Sequence, residues 1–333
     1  MIRPFLKWAG GKTRVLPELL PRLPKGYCLI EPFVGGGSVF LNTDYSKYVL
    51  ADINSDLINT YGNVKYRLDL FIEVARELFR EGNSKEYYLQ LRDEFNAVNE
   101  GYRRRVMPPR LELMQAARFL YLNRHGYNGV CRYNNQLQYN VPFGQHKSAP
   151  YFPEQEIRQF SEKANDTDAI FLNLRFEHTL SMTTFGSNLV VYCDPPYLPV
   201  SETADFTAYY GQAFTPDDHR HLVRELLRLS STGAAQVVIS NSDTPATREI
   251  YAPFTFDEIS VQRSVSTNTN KREAAKEVIG YIPYCEYCGG RLITGRACSC
   301  VNQRRAVWGC PDGGCGVCDS ADACESAGDP LYE

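Results

Sequence analysis

The sequence predicts an α/β fold, because short apolar, β-branched segments of strand length are separated by longer segments with helical periodicity. One of these strands runs directly into a glycine-rich turn, and the next one ends in an acid. The length of 333 residues, with 43% hydrophobic and 23% charged side chains, is typical of a globular protein of about two domains. No apolar run is long enough for a membrane span or a signal peptide, so we expect a cytoplasmic protein without membrane association.

The first elements resemble the skeleton of a nucleotide site. YCLIEPF (27–33) predicts a strand that runs into three consecutive glycines, and a helix begins at Ser38. The segment YVLAD (48–52) predicts a second strand that ends at Asp52, where an acid commonly binds ribose hydroxyls. This order of strand, glycine loop, helix, strand and acid predicts a Rossmann-like site, although a purely structural turn is the alternative.

Residues 59–148 interrupt this pattern and read as an insert. Three segments with helical spacing precede a polar stretch, in which VCRYN and LQYNVPF flank Asn135 and Gln136 as a predicted β-hairpin. Residues 101–148 contain eight Lys and Arg residues and one acid, Glu112. Such a concentration of positive charge suggests a polyanionic partner, and a solvated charged face is the alternative.

The α/β pattern resumes after the insert. AIFLNL (169–174), NLVVYCD (188–194) and QVVIS (236–240) predict buried parallel strands, and residues 217–233 predict a helix. FTFDEISV and EVIGYI predict a closing pair of strands. We therefore expect a catalytic domain formed by residues 1–58 and 149–283, interrupted by the insert.

Asp194-Pro195-Pro196-Tyr197 follows a buried strand, at the edge of a parallel sheet where ligands bind. The prolines fix the backbone, so the Pro195 carbonyl is a rigid acceptor beside the Asp194 carboxylate. Tyr197 offers a flat face for stacking. Two acceptors and a stacking face suit a planar exocyclic amine, whose lone pair becomes available for attack when both N–H groups are bonded. Together with the glycine loop, this pattern favours methyl transfer from S-adenosylmethionine, against a chance proline turn.

The chain resembles a known family, the Dam-type (D12 class) DNA adenine-N6 methyltransferases of bacteria and their phages. The resemblance covers about residues 3–283 and rests on the following segments: FLKWAGGK (5–12), EPFVGGGSVFLNTDYS (31–46), ADINSDLI (51–58), FLYLNRHGYNGVCRYN (119–134), NVPFG (140–144), VVYCDPPYLP (190–199) and ISNSDT (239–244). It implies a Rossmann-like methyltransferase with a helical and hairpin-bearing DNA-recognition insert, which acts as a monomer on double-stranded DNA.

The resemblance also implies roles for individual residues. Asp194, Pro195 and Tyr197 would be catalytic, with Asp194 lying between the cofactor and a flipped adenine. Asp52 would bind the cofactor ribose. The remaining S-adenosylmethionine contacts would come from Trp8, Ala9, Gly10, Lys12, Phe33, Gly35 and Gly37.

The implied DNA contacts lie mainly on the insert and imply the target GATC. Arg132 would bind a guanine in the major groove, and Val130 and Pro142 would pack on a thymine methyl group. The other implied contacts are Lys7, Arg124, Tyr127 and Asn128. Gln145-His146 replaces a more basic Arg-Tyr pair, so the contacts to the flanks and to the first guanine are open. The segment 176–179 also departs from the family pattern and receives no role.

The tail, residues 284–333, lies outside the resemblance. Cys285, Cys288, Cys298 and Cys300 have the spacing of a small zinc ribbon, so we expect them to bind one structural zinc ion. A second, looser set of four cysteines, from Cys310 to Cys324, has a spacing that could hold a second zinc ion or lend ligands to the first. Thiols without a metal are the alternative for both sets.

We interpret the chain as an adenine-specific DNA methyltransferase. Two alternatives remain at the level of sequence. One is N-methylation of another planar amine, in RNA or in protein. The other is a non-catalytic nucleic-acid-binding protein in which a zinc tail makes the contacts. The Asp194 and Tyr197 pair argues against the second alternative, and the basic insert argues for duplex DNA over the first.

Overall fold

The computed structural model describes residues 1–80, 82–103, 105–182, 188–198, 213–231, 235–261 and 275–282. The chain divides into two compact units. The first unit holds Met1–Arg22, Glu31–Phe176 and residues 213–214, and the second holds Leu23–Ile30 and the other described residues after 176. The whole of the predicted insert, residues 59–148, falls within the first unit.

The predicted strands form with small changes at their ends, and so do the helix from Ser38, the three helical segments of the insert and the helix at 217–233. The sequence did not predict the helices Leu16–Leu19, Ser55–Tyr66, Glu154–Asp166, Phe176–Ser181 and Pro245–Ile250. The helices are α1 (Leu16–Leu19), α2 (Ser38–Leu41), α3 (Ser55–Tyr66), α4 (Leu68–Arg80), α5 (Lys85–Tyr102), α6 (Pro109–His125), α7 (Glu154–Asp166), α8 (Phe176–Ser181), α9 (Pro216–Ser231) and α10 (Pro245–Ile250). The strands are β1 (Cys28–Glu31), β2 (Lys47–Asp52), β3 (Ile170–Asn173), β4 (Leu189–Cys193), β5 (Ala235–Ser242), β6 (Thr255–Val261) and β7 (Ala275–Tyr281).

Within the described residues, these strands form a seven-stranded sheet in the order β3-β2-β1-β4-β5-β7-β6. The pairs β2–β3, β1–β4 and β4–β5 are parallel, as the uninterrupted apolar runs predict. The last two strands pair antiparallel with each other, and β7 also pairs antiparallel with β5. The mixed α/β class is thus confirmed, including the closing antiparallel pair.

An aromatic cluster forms the core of the first unit and supports its glycine loop. Phe160 on α7 stacks on Tyr61 of α3, with ring centroids 4.6 Å apart, and on Phe171 of β3. Phe5 and Phe40 complete the cluster with edge contacts to Phe160. Ring pairs of this kind stabilise a core beyond the area that they bury, so they fix α3 and α7 against β3.

The predicted hairpin of the insert forms only as irregular extended arms. Tyr133 and Tyr139 make an isolated antiparallel bridge, and the Asn140 N–H donates to the Arg132 carbonyl at 3.1 Å. Asn134 closes the turn, because its side-chain oxygen accepts the N–H groups of Gln136 and Gln138. The arms carry a turn as predicted, but regular strand pairing does not extend along them.

No helix within the described ranges combines the length and apolar character that crossing a bilayer requires.

Candidate functional site

The glycine loop of the first unit adopts backbone conformations that favour glycine. Gly35 and Gly37 have φ angles of 47° and 72°, in the left-handed region where a side chain is strained. The Gly35 N–H donates to Oδ2 of Asp52 at 3.1 Å, and the Tyr61 hydroxyl donates to the Gly35 carbonyl at 2.5 Å. The loop is therefore held on both sides, by the acid that ends β2 and by α3.

Trp8 lies directly against this loop, although it is separated from it by more than twenty residues of sequence. A Cβ atom placed on Gly35 would come within 2.9 Å of Trp8 Nε1, and one on Gly36 within 3.0 Å of Trp8 Cβ. These distances leave no room for a side chain. The structure thus brings together two of the predicted cofactor motifs, FLKWAGGK and the glycine loop.

The other predicted cofactor residues of the first unit differ in exposure. Asp52 is 3% exposed, and its Oδ1 accepts the Asn54 N–H at 2.9 Å. Lys12 is buried and its Nζ donates to the Gly10 carbonyl at 3.3 Å. The Gly11 N–H closes the turn that carries Ala9 by donating to the Trp8 carbonyl at 3.1 Å. Ala9 and Gly10 are exposed. A carboxylate has about four acceptor positions, and two of those on Asp52 accept backbone N–H groups.

Phe33 belongs to a group of three aromatic rings in the first unit. It stacks on Phe176 with centroids 5.7 Å apart and an interplanar angle of 27°, and both rings make edge contacts with Phe214. Phe176 opens a segment that received no role from the sequence. The sequence did contain a clue to Phe176, because this aromatic residue comes shortly after the predicted strand 169–174.

In the second unit, Asp194 directly follows the fully buried strand β4. The Ser240 hydroxyl on β5 donates to Asp194 Oδ1 at 3.0 Å, and the Tyr192 hydroxyl lies 2.8 Å from Ser240 Oγ. Pro195 is buried, whereas Asp194 itself is partly exposed. One carboxylate oxygen thus has a fixed direction, set by the neighbouring strand.

Tyr197 is tied to the same sheet by its hydroxyl. The hydroxyl donates to Oε2 of Glu277 on β7 at 2.9 Å. Burial raises the pKa of this phenol well above its ordinary value, and the carboxylates of Asp194 and Glu277 raise it further. The phenol is therefore neutral. Leu198 follows it, and Asn241 Oδ1 accepts the Leu198 N–H at 3.3 Å. The sequence did not assign Ser240, Asn241 or Glu277, because each acts on a partner more than forty residues away.

Lys7 is fastened to the end of α6 in the first unit. The Asn123 side chain accepts the Lys7 N–H at 2.8 Å and donates to the Lys7 carbonyl at 2.7 Å. The Lys7 ammonium donates to the Arg124 carbonyl at 3.2 Å, and burial followed by the Arg124 charge lowers its pKa. The predicted contact Lys7 therefore lies beside the start of the insert's loop, in a cationic environment.

The loop after α6 presents several of the predicted contacts to solvent. Tyr127 and Asn128 are exposed, as is Pro142, whose carbonyl accepts the Tyr127 N–H at 2.9 Å. Val130 is partly exposed. A Cβ atom on Gly129 would overlap the Lys7 side chain, so this loop packs directly on that side chain. Lys7, Tyr127, Asn128, Val130 and Pro142 are thus brought to one region.

Arg132 is exposed at the hairpin, and Asn140 on the opposite arm orients it. Asn140 Oδ1 accepts the Arg132 Nε–H at 2.9 Å, and the Asn140 carbonyl accepts a second guanidinium bond at 3.1 Å. Asn140 was part of a sequence motif but received no role of its own. It holds the guanidinium by one edge, which suits a side chain that must present a defined direction.

Arg124 differs from the other predicted contacts, because its side chain is only 7% exposed. Its guanidinium lies over the Tyr151 ring, 4.6 Å from the centroid. The next residue, His125, is fully buried, and burial is the main cause that lowers its pKa to about 4. His146 lies against the His125 and Gly126 carbonyls. A direct contact by Arg124 stays a prediction.

The predicted zinc ligands Cys285, Cys288, Cys298 and Cys300 lie outside the described residues. In the part of the chain that the structure describes, no group of three or more His, Cys, Asp or Glu side chains has the arrangement of a metal site.

Comparison with known proteins agrees with these motifs. A sequence model for the D12 class N6 adenine-specific DNA methyltransferases matches residues 8–266. The matched range includes the glycine loop, the insert and the Asp194 motif, and it ends before the cysteine-rich tail.

Individual relatives match most of the chain. The DNA adenine methylase of Salmonella typhi is 48% identical over 278 residues, which are 83% of this chain and 94% of that protein. The Escherichia coli K12 DNA adenine methylase has the same identity and coverage. The Retron Ec67 DNA adenine methylase is 43% identical over 275 residues, with 83% and 90% coverage.

Proposed function

The chain belongs to the D12 class of N6 adenine-specific DNA methyltransferases, and from this premise we propose how its own residues select and hold the adenine. The enzyme transfers a methyl group to N6 of adenine in DNA, and its family implies S-adenosylmethionine as the donor. The proposal is that it acts as a monomer on duplex DNA, at GATC, on an adenine turned out of the helix.

The observation that supports the amine site best is the bond between Ser240 and Asp194. It fixes one carboxylate oxygen while the carboxylate keeps further acceptor positions for an N–H group of the adenine amine. The Pro195 carbonyl accepts the second N–H, since the proline ring fixes the backbone there. Accepting both N–H bonds withdraws the nitrogen lone pair from the ring and directs it outward. Tyr197 stacks on the base with a neutral ring.

The residues of the first unit fit S-adenosylmethionine. Gly35 and Gly36 let the Trp8 side chain pack directly on the backbone of the loop, where a Cβ atom would clash with it. Asp52 accepts the ribose hydroxyls, and Lys12, Ala9 and Gly10, on the segment that follows Trp8, supply further cofactor contacts. Phe33, supported by Phe176, provides an aromatic face for the cofactor adenine. When bound, the sulfonium group supplies an electrophilic methyl group, and the protein contributes orientation and exclusion of water.

The DNA contacts follow from the exposed residues of the insert. Arg132, oriented by Asn140, donates to guanine N7 and O6, and Val130 and Pro142 pack on a thymine methyl group. Tyr127 and Asn128 probe the duplex beside the target, and Lys7 contacts the first guanine. An amine inside the base stack is out of reach of any side chain, which is why the adenine must be extruded.

Methylation of short duplexes tests the proposal. A duplex with one GATC site should accept label from radioactive S-adenosylmethionine, and duplexes with one changed base pair should react at least about tenfold more slowly, since a lost base contact costs about 1–3 kcal/mol. Replacing the target adenine with 2-aminopurine should raise fluorescence on binding when the base leaves the stack. Equal methylation of all adenines, or of an RNA hairpin of the same sequence, would contradict the specificity and favour the broader N-methyltransferase.

The tail adds a separate proposal about structure. Cys285, Cys288, Cys298 and Cys300 bind one zinc ion, which stabilises the tail in the cytoplasm, where thiols stay reduced. The support is their spacing in the sequence. The methyltransferase match ends at residue 266, so this module is an addition to the catalytic part.

A further inference from the structure

The two residues on either side of Arg132 are both fastened to the start of α3. Asn54 Nδ2 donates to the Cys131 thiol sulfur at 3.5 Å, and the Tyr133 hydroxyl donates to Asp56 Oδ2 at 2.6 Å. Successive residues in an extended arm point to opposite sides, so 131 and 133 face inward where Arg132 faces outward. The exposed Arg132 thus lies between two residues that are bonded to buried side chains, Asn54 and Asp56, which we call the two anchors.

Asp56 is the stronger of the two anchors, because each of its carboxylate oxygens accepts a hydrogen bond. Its side chain is 8% exposed, and its second oxygen, Oδ1, accepts the Asn99 amide at 3.0 Å. Asn99 accepts in turn from Gln115 at 2.7 Å, which links α5 and α6 to the same network. Burial raises the pKa of Asp56 to about 6, and the bonds from Tyr133 and Asn99 oppose that rise.

Asn54, the second anchor, also connects the hairpin to Asp52, the acid that we propose for the cofactor ribose. Its Oδ1 caps α3 by accepting the N–H groups of Asp56 and Leu57, at 3.0 and 3.1 Å. Its own N–H donates to Asp52 Oδ1. The remaining group, Nδ2, is the one that contacts Cys131. The side chain is 1% exposed, so this single residue joins the end of β2, the cap of α3 and the hairpin.

We propose that Asp56 and Asn54 are positioning residues for base selection, because they fix the hairpin register in which Arg132 reaches the groove; this rests on the proposed role of Arg132 in reading a guanine. Neither residue contacts DNA. A shift of one residue along the arm would turn the Arg132 position inward and a neighbour outward. The bonds from Cys131 and Tyr133 to the two anchors oppose that shift. Asn140 then sets the direction of the guanidinium.

A purely structural role would not require this chemistry. A buried carboxylate carries a desolvation penalty, and well-packed apolar residues often give equal or greater stability at such positions. What directional hydrogen bonds add is a single arrangement, because a shifted register leaves the carboxylate and the phenol without partners. The network is thus costly for stability and well suited to specifying one position of the arginine.

The first test compares Tyr133→Phe with a matched control. Tyr48→Phe removes another buried hydroxyl, which bonds to the Thr43 carbonyl at 2.7 Å, away from the hairpin. The readout is kcat/KM for a GATC duplex divided by kcat/KM for duplexes with one guanine replaced. Tyr133→Phe should lower this ratio about tenfold, as expected when a coupled contact is lost. Tyr48→Phe should leave the ratio unchanged, and both should keep the wild-type Kd for S-adenosylmethionine.

A double variant shows whether the effect passes through Arg132. Arg132→Ala with Tyr133→Phe should discriminate no worse than Arg132→Ala alone, because the anchor has no arginine left to position. Additive losses would overturn the inference. The same holds if Tyr133→Phe lowers kcat for all duplexes equally. If the wild type itself does not distinguish guanine at any position, the proposed function fails, and this outcome is visible before any variant is made.

An exchange of the side chains at positions 56 and 99 distinguishes a loss of the network from a loss of folding. In Asp56→Asn the single amide oxygen can accept from Tyr133 or from Asn99 but not from both, so one wild-type bond is lost and discrimination should fall. Asp56→Asn combined with Asn99→Asp restores every bond, since the new amide still accepts from Tyr133 and donates to the new carboxylate. Recovery of the wild-type ratio in the exchanged pair supports the inference. A folded pair that stays as poor as Asp56→Asn would overturn it.

Discussion

The hydroxyl of Ser240 donates to the Asp194 carboxylate at 3.0 Å, although 46 residues separate the two in sequence. Parallel pairing of β4 and β5 places them together: Cys193 lies opposite Ile239 in the register, so the next position on each strand is Asp194 and Ser240. The direction of the proposed catalytic acceptor is therefore set by the sheet itself, and not by the loop that follows it.

Asp194→Ala should abolish most of the methyl transfer while the fold is kept. The adenine amine loses an acceptor that the Pro195 carbonyl cannot replace, and removal of one preorganised contact of this type lowers kcat by about 100- to 1,000-fold. Single-turnover transfer to a GATC duplex measures it, with circular dichroism to check the fold. Retention of more than half of the wild-type rate would contradict the assignment.

Ser240→Ala should have a smaller effect on the same step. The carboxylate remains but loses one fixed bond, which is worth about 0.5–1.5 kcal/mol, so kcat should fall by about tenfold or less with little change in KM. Ser231→Ala is the matched control, because its hydroxyl donates to the Arg228 carbonyl at the exposed end of α9. An increase in KM at constant kcat would show that Ser240 serves binding and not the orientation of Asp194.

Gly35→Ala should weaken cofactor binding. The positive φ of Gly35 disfavours any side chain by about 1–2 kcal/mol. The new Cβ would also meet Trp8 Nε1 at 2.9 Å and displace the ring or the loop. The Kd for S-adenosylmethionine should rise about tenfold or more, measured by calorimetry.

The control for that variant is Gly62→Ala. A Cβ on Gly62 meets nothing within 4 Å, and this glycine lies inside α3, where alanine is favoured by about 1 kcal/mol. Gly62→Ala should therefore raise the melting temperature and leave the Kd unchanged. A Kd shifted equally in both variants would point to a general effect on the unit and not to the loop.

Arg132→Ala should relax selection at one guanine of the target. The loss of a bidentate contact costs about 1–3 kcal/mol of discrimination at that position and leaves the others unchanged. Competition between GATC and singly substituted duplexes measures it. If all sequences weaken equally and the slope of binding against salt falls by about one, Arg132 is a phosphate contact instead.

The sequence predicted the strands well, but it did not predict the side-chain contacts between segments that are distant in sequence. The strand that precedes Asp194 and the one that ends at Asp52 were found, because burial and strand length are visible in local apolar runs. Their supports were not, since the bond of Ser240 to Asp194 and that of Tyr133 to Asp56 depend on register between distant segments. Local patterns contain no information about that register.

The hairpin shows the same limit in another form. Its turn was predicted from polar residues between two extended runs, but the arms pair through an isolated bridge and scattered hydrogen bonds in place of a regular ladder. The contacts that hold them come from α3 and α5, as with the Asn96 amide, which donates to the Tyr139 carbonyl at 3.0 Å. Tertiary anchors replace the strand ladder there, and β-propensity alone does not reveal such anchors.

Changing two cysteines of the tail should remove its metal. In the full chain, Cys285→Ser with Cys288→Ser leaves two of the four predicted thiolate ligands, too few for a tetrahedral structural site. Metal analysis of the purified protein should find about one zinc ion in the wild type and none in the variant, with methyl transfer to GATC largely kept. Equal zinc in both proteins would exclude these ligands.

The pH dependence of stability should report on Asp56. Its pKa is about 6 in the folded chain, against an ordinary value of 3.8, because it is buried. Between these values the folded state binds more protons than the unfolded state, so the free energy of unfolding falls as the pH rises through this range. The contribution is fully present below pH 3.8 and is lost above about pH 6.

Asp56→Asn removes this titration. The melting temperature of wild type relative to Asp56→Asn should therefore be highest near pH 4 and decline toward pH 7. Tyr133→Phe provides the internal check, because its hydroxyl bond lowers the Asp56 pKa, and without it the decline should extend to higher pH. Melting curves of wild type and Asp56→Asn that stay parallel from pH 4 to pH 7 would show that the fold does not raise the pKa of this carboxylate.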